Sequence, residues 1–215
     1  VVESVYSMEG DIAPLENIAS LCKKHRAALV VDEAHATGVF GKNGEGMVQQ
    51  LRLQDEVFAR LHTFGKALGA HGAIVAGSNL LIHYLGNFAR SFIYTTALPP
   101  QTAMHVHQNY QLLQTHPEIR KELHDRIYYF NACKKNIAAA HWLESTSPIQ
   151  SLIVSNSVQT KALAQHCREN GMLVSAILSP TVAAGSERIR ICLHSFNTKE
   201  EIDLLLNHIQ ICLEK

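Results

Sequence analysis

The sequence predicts an α/β fold, with a mostly parallel sheet followed by a smaller carboxyl-terminal α/β part. Three observations carry this. The apolar, β-branched run Leu29-Val30-Val31 ends abruptly in Asp32-Glu33-Ala34-His35, as a buried parallel strand does when it delivers polar groups at its carboxyl end. Strand-like and helical periodicities alternate on both sides of it. A second polar cluster, Thr63-Phe64-Gly65-Lys66, places a lysine 34 positions beyond Asp32 (66 − 32). An acid, a histidine and a lysine at the ends of successive strands converge on one crevice, where open α/β sheets bind ligands.

The elements follow in order. Val1 to Ser7 is strand-like from the first residue. Parallel strands lie inside sheets, so the expectation is that further residues precede this one. Ser7 to Asp11 makes a turn. Pro14 suits a first helical turn, and Leu15, Ile18, Ala19 and Cys22 form one apolar helical face that ends near Arg26. With Ala27–Val31 as the next strand, the opening is a β-α-β unit and implies a parallel pair. Four glycines between Gly38 and Gly46 mark a loop. Val57–Phe64 reads as a strand, Gly72–Gly77 as another short buried strand, and Asn79–Asn87 as a helix. The aromatic segment from Phe92 closes at Pro99-Pro100, where regular structure stops. This places the large domain at 1–100, with interdomain helices and the small carboxyl-terminal domain at 101–215. A helical pattern runs from Gln101 to about Leu143, broken near His116-Pro117, with Ile119, Leu123, Ile127 and Phe130 on one face of its second half. Ile149–Val154 is a strand, Ser157–Asn170 a helix stopped by Gly171, and Met172–Leu178 a strand. Arg188 to Leu193 alternates, with both arginines on one face. Thr198 to Glu201 is a capping box that opens a last amphipathic helix through Leu213.

Composition narrows the classes. Of the 215 residues, 47% are hydrophobic and 18% charged, and 19 basic residues balance 19 acidic ones. The chain is globular with a substantial core, and no basic surplus favours nucleic acid. No apolar run has the length of a membrane span. Five dispersed cysteines without a Cys-x-x-Cys pair indicate neither a zinc site nor a disulfide framework, and suit a reducing cytoplasm. His105 and His107 read as helix surface or interface residues.

Two chemistries compete for Val31-Asp32-Glu33-Ala34-His35. One is the Walker B box of a helicase, where the acid pair holds Mg²⁺. That reading requires a P-loop. None precedes Asp32, and around Gly65-Lys66 the positions of the first glycine and the hydroxyl hold Arg60 and Ala67. The other is pyridoxal phosphate, which needs an acid at its pyridine nitrogen and a lysine for the Schiff base. A carboxylate paired with pyridinium keeps its charge in low dielectric, and a lysine beside a cationic ring becomes a nucleophile and a base. Taken alone, Asp32 reads as a turn cap and Lys66 as a surface lysine. Together they favour the cofactor.

The ordered set Val5-Tyr6-Ser7-Met8-Glu9-Gly10-Asp11, Val31 to Gly38, Thr63 to Lys66, Tyr94-Thr95-Thr96-Ala97-Leu98-Pro99-Pro100, Pro180-Thr181-Val182 and Arg188-Ile189-Arg190 resembles the α-oxoamine synthases. These are pyridoxal-phosphate enzymes of the aspartate-aminotransferase (fold type I) class. The match runs through essentially the whole chain, and several motifs in order are far more specific than any one. The resemblance implies a partial large domain with a mostly parallel sheet plus a small carboxyl-terminal domain. It makes Lys66 the Schiff-base lysine, pairs Asp32 with the pyridine nitrogen, sets His35 on the ring's phenolic oxygen, and brings Ser7 to the cofactor and Thr63 to its phosphate. Thr95 or Thr96 would reach the phosphate across a homodimer interface. Arg190 would hold the substrate carboxylate by a two-pronged hydrogen bond, with Thr181 beside the substrate. Within the family the segments are most similar to the biotin-synthesis branch, which joins L-alanine to a pimeloyl thioester with loss of CO₂. The alternatives are a branch joining glycine to acetyl-CoA, and a degenerate dimerisation subunit; retention of Lys66 weighs against the latter.

Two departures bear on these expectations. Val182-Ala183-Ala184-Gly185 stands where the family often has a proline after the valine. The family's amino-terminal histidine that stacks on the ring, part of its phosphate-binding backbone and a substrate-contacting arginine have no counterpart here. The 215 residues alone are therefore expected to bind the cofactor weakly and turn over poorly.

Overall fold

Two sheets organise the chain. The structure, a computed structural model, describes residues 1–214. In order the elements are β1 (Val2–Glu3), α1 (Leu15–Lys24), β2 (Val30–Asp32), α2 (Met47–Gln50), β3 (Ala59–Thr63), β4 (Ala73–Gly77), α3 (Asn79–Phe88), α4 (Arg90–Ile93), α5 (Pro100–Thr115) and α6 (Pro117–Cys133). After a 3₁₀ turn at Lys134–Asn136 come β5 (His141–Trp142), β6 (Ile149–Ile153), α7 (Ser157–Glu169), β7 (Ser175–Ile177), β8 (Arg188–Cys192) and α8 (Lys199–Leu213). The chain divides into two compact units. One comprises Val1–Tyr6 and Ala13–Arg120, the other Ser7–Ile12 and the chain from Lys121 onward.

The first unit is built on the sheet β1-β2-β3-β4. β1, β2 and β3 run parallel, with Glu3 opposite Asp32 and Asp32 opposite Leu61. Its core holds Val5, Leu15, Ala19, Leu29, Val31 and Val48, all buried. α1 buries Leu15 and Ala19, and carries Glu16 in its first turn and Lys23 and Lys24 in its last, each complementing the helix dipole. β4, read as a short buried strand, is largely exposed instead. It runs antiparallel to β3. Residues 64–72 explain the direction, because a parallel crossover needs a dozen or more residues.

The second unit has an antiparallel sheet, β5-β6-β8-β7. α6, α7 and α8 contribute to a core around Phe130, Leu152, Leu163, Ile189 and Ile209, and the Phe130 and Trp142 rings meet edge to face at 5.4 Å. The helical reading to Leu143 overran: α6 stops at Cys133, and His141 and Trp142 pair with Ile153 and Leu152 as β5. Of the face assigned to α6, Ile127 and Phe130 are buried but Ile119 is exposed. α7 is capped by Asn156, whose side chain accepts from the Val158 and Gln159 amides. α8 carries the full Thr198/Glu201 capping box.

Ser7–Ile12 belongs to the second unit. Ser151 Oγ donates to Met8 O at 2.8 Å, Ser145 Oγ to Gly10 O at 2.8 Å, and Arg188 pairs with Glu9 at 2.6 Å. Gly10 has φ +81°, and a Cβ there would stand 2.2 Å from Ile149 O, so only glycine fits.

Candidate active site

β2 and β3 set the first part of the site. Because Asp32 pairs with Leu61 in parallel register, Asp32 and Thr63 stand at the carboxyl ends of neighbouring strands, and Lys66 lies three residues further on. Asp32 is half-buried. Its Oδ1 accepts the Ala34 amide at 2.8 Å, turning the chain sharply so that His35, also half-buried, follows at the strand end. Lys66 is exposed, in a turn closed by Gly69 N to Lys66 O at 2.9 Å and Ala70 N to Phe64 O at 2.7 Å. Thr63 carries a buried hydroxyl oxygen with no hydrogen-bond partner.

Glu33 is fully buried and holds this corner together. Its carboxylate accepts from Ser4 Oγ at 2.7 Å, Met47 N at 3.0 Å and Val48 N at 2.7 Å. Charge-assisted bonds of this kind are among the stronger ones. They tie β1, the end of β2 and the start of α2 into one block. Both carboxylate oxygens are engaged, so Glu33 is not free to share a Mg²⁺ ion with Asp32 as the helicase reading requires. Gly46, at φ +105°, passes so close that a Cβ would stand 2.7 Å from the Glu33 carboxyl carbon. Sequence reasoning took Glu33 only as half of an acid pair. The signal for its role was the glycine at the far end of the loop.

Thr37 Oγ1 lies 2.8 Å from both Glu33 O and His62 Nδ1. The hydroxyl has one proton, and a carbonyl can only accept it, so His62 Nδ1–H donates to Thr37. Burial pushes the His62 imidazole below its ordinary value, against the pull of Glu33. His62 was not singled out from sequence; it stands beside Thr63 on β3.

The remaining candidates divide between the units. Thr95 and Thr96 are exposed, beyond α4 in the first unit. Arg190 is half-buried on β8 in the second, and its Nε donates to Ser7 O at 2.7 Å. That bond holds the guanidinium in place. It also shows Ser7 engaged through its carbonyl. Arg188, read as sharing a face with Arg190, is buried against Glu9. Thr181 is exposed. His105 and His107 are exposed on α5.

Three parallel strands, an acid at the end of the second and a lysine just beyond the third are the arrangement of a fold type I transferase. The chain belongs to the aminotransferase class I and II family, which it matches over residues 1–209. It is 44% identical to an 8-amino-7-oxononanoate synthase of Emericella nidulans, over 99% of this chain and 54% of the relative. It is 40% identical to one of Marinobacter nauticus, over 96% and 52%. Among solved structures, the 8-amino-7-oxononanoate synthase of Francisella tularensis superposes with a TM-score of 0.88 at 32% identity, covering 98% of this chain and 61% of that one. A Sphingomonas wittichii serine palmitoyltransferase gives 0.91 at 27%, covering 98% and 53%. The α-oxoamine synthase resemblance thus stands. The chain spans about half the length of the curated relatives it matches.

Proposed function

We propose that this chain carries catalytic groups of an 8-amino-7-oxononanoate synthase, joining L-alanine to a pimeloyl thioester with release of CO₂ and the thiol carrier. The observation that carries the reading is the corner where Asp32 and Thr63 end adjacent parallel strands and Lys66 follows. Residues here suit pyridoxal phosphate. The unpartnered, buried Thr63 hydroxyl is a donor for a phosphate oxygen. Asp32 uses Oδ1 on Ala34, which leaves Oδ2 for a pyridinium N–H. When bound, the cofactor supplies an electron sink for charge that develops at the amino acid's α-carbon.

The chain's own groups do the rest. Asp32 keeps the pyridine nitrogen protonated. Lys66 removes the α-proton of alanine as general base. His35 holds the ring's phenolic oxygen and polarises the incoming acyl carbonyl. Arg190, steadied by Ser7 O, binds the amino acid's carboxylate with its two terminal nitrogens, beside Thr181. Ser7 also borders the cofactor, and Thr95 or Thr96 of one copy serves the phosphate of a second, in a homodimer. Five free cysteines suit a reducing compartment such as the cytoplasm. No helix among the described residues is long and apolar enough to cross a membrane.

By themselves these 215 residues hold the cofactor weakly, because Lys66 is exposed and the phosphate also calls on a threonine of a second copy. The test is an acyl-donor screen of the protein carrying this chain, with pimeloyl, acetyl and palmitoyl thioesters against alanine and glycine. Turnover confined to alanine with the pimeloyl donor supports the reading. A preference for glycine with acetyl-CoA replaces it with the ligase reading. No turnover with any pair leaves a dimerisation subunit.

A further inference from the structure

The second unit holds a histidine pair that the proposed reaction does not use. His166 on α7 and His208 on α8 face each other, with His166 Nε2 2.9 Å from His208 Nδ1. Their ring centroids are 5.0 Å apart and the rings are tilted by 51°. Both rings are half-buried, so solvent reaches them while packing of α7 on α8 holds them in place.

We propose that His166 and His208 form a chelating site for a divalent late first-row transition ion, nickel or copper, bridging α7 and α8. Imidazole nitrogen is a ligand these ions favour, whereas Mg²⁺ and Ca²⁺ favour oxygen. Two nitrogens each about 2.0–2.1 Å from one ion and at right angles to each other are about 2.9 Å apart; tetrahedral ligation would set them at about 3.3–3.4 Å. The observed spacing is that of adjacent positions in a tetragonal site.

In the free pair one facing nitrogen carries the shared proton and the other accepts it. On binding, that proton passes through water to the other nitrogen of the same ring. Both facing nitrogens then offer lone pairs, both rings stay neutral, and no electron is transferred. Among the described residues no group of three or more His, Cys, Asp and Glu side chains is arranged to hold a metal. The protein therefore supplies two ligands and water the others.

The test is calorimetric titration of the chain with Ni²⁺, with Mg²⁺ as control, alongside His166→Gln, His208→Gln and, in the first unit, His105→Gln. Nickel is chosen because it does not oxidise the free cysteines. The expected result is tight binding of Ni²⁺ and not Mg²⁺, together with a higher melting temperature. Binding falls roughly a hundredfold in each pair variant, the lower end of what a second tethered ligand adds, and is unchanged in His105→Gln. Glutamine can keep an interhelical hydrogen bond, and the near-ultraviolet dichroism of Trp142, packed against this unit's core, reports whether each variant is folded. Three results overturn the proposal: no Ni²⁺ binding by the folded chain, binding unaffected by either substitution, or dependence on one histidine of the pair alone.

Discussion

His62 shows how one buried ring governs pH behaviour. Its folded imidazole is held below the ordinary 6.5 by burial, so the unfolded chain takes up a proton that the folded one refuses. Stability contributed by neutral His62 is complete above that value and is lost as the pH falls below it toward the folded value. The protection of β2 and β3 amides, relative to the intrinsic exchange rate at each pH, is expected to fall as the pH drops below 6.5, and His62→Gln should flatten that dependence. Gly10 makes a second residue-scale prediction. Gly10→Ala drives a Cβ into Ile149 O at a positive φ, and overpacking of this kind costs about 1–3 kcal/mol. Urea unfolding of the second unit, followed by Trp142 fluorescence, measures it. At the site, Lys66→Ala should remove the visible absorption that native protein gains with pyridoxal phosphate. Lys66→Arg, which keeps the charge, should not restore it. Retained absorption in both variants would move the cofactor assignment to another lysine.

At the scale of elements, α8 depends on its first turn. Thr198→Ala removes the hydroxyl that accepts the Glu201 amide at 3.1 Å, and loss of such a cap costs about 1 kcal/mol. Thr198→Ser should recover most of that in the same unfolding assay. β4 has the opposite character, an edge with little covering it on either face. Edges of this kind invite pairing with another strand.

On the scale of the whole molecule, the two units differ in how completely each buries its apolar surface. The second encloses Phe130, Leu152 and Ile209. The first leaves Leu80 81%, Phe88 65%, Phe92 67% and Tyr94 80% exposed along α3, α4 and the segment after them. Such surface drives association. Sedimentation should show the chain self-associating with rising concentration, and Leu80→Ser with Phe92→Ser should reduce that association.

Local chemistry accounts for what the sequence by itself determined. The β-α-β opening, the Asn79–Phe88 helix, the α8 capping box and the polar endings of β2 and β3 follow from periodicity and caps, which act over a few residues. Asp32 and Lys66 were joined as one candidate site by the acid and the lysine that pyridoxal phosphate requires, not by any local pattern. Tertiary structure decided the rest. The antiparallel turn of β4 was foreshadowed only by the short connection at 64–72. β5 exists because His141 and Trp142 find Ile153 and Leu152 as partners. Glu33, read as half of an acid pair, became the buried anchor of the corner once Ser4, Met47 and Val48 came to its carboxylate from other elements. Ser7 turned its carbonyl to Arg190, and Arg188 withdrew from solvent onto Glu9, across more than 170 residues of sequence. Hydrogen bonds between distant segments leave no periodic trace, because a residue's partner is chosen by the folded backbone and not by its neighbours in the chain.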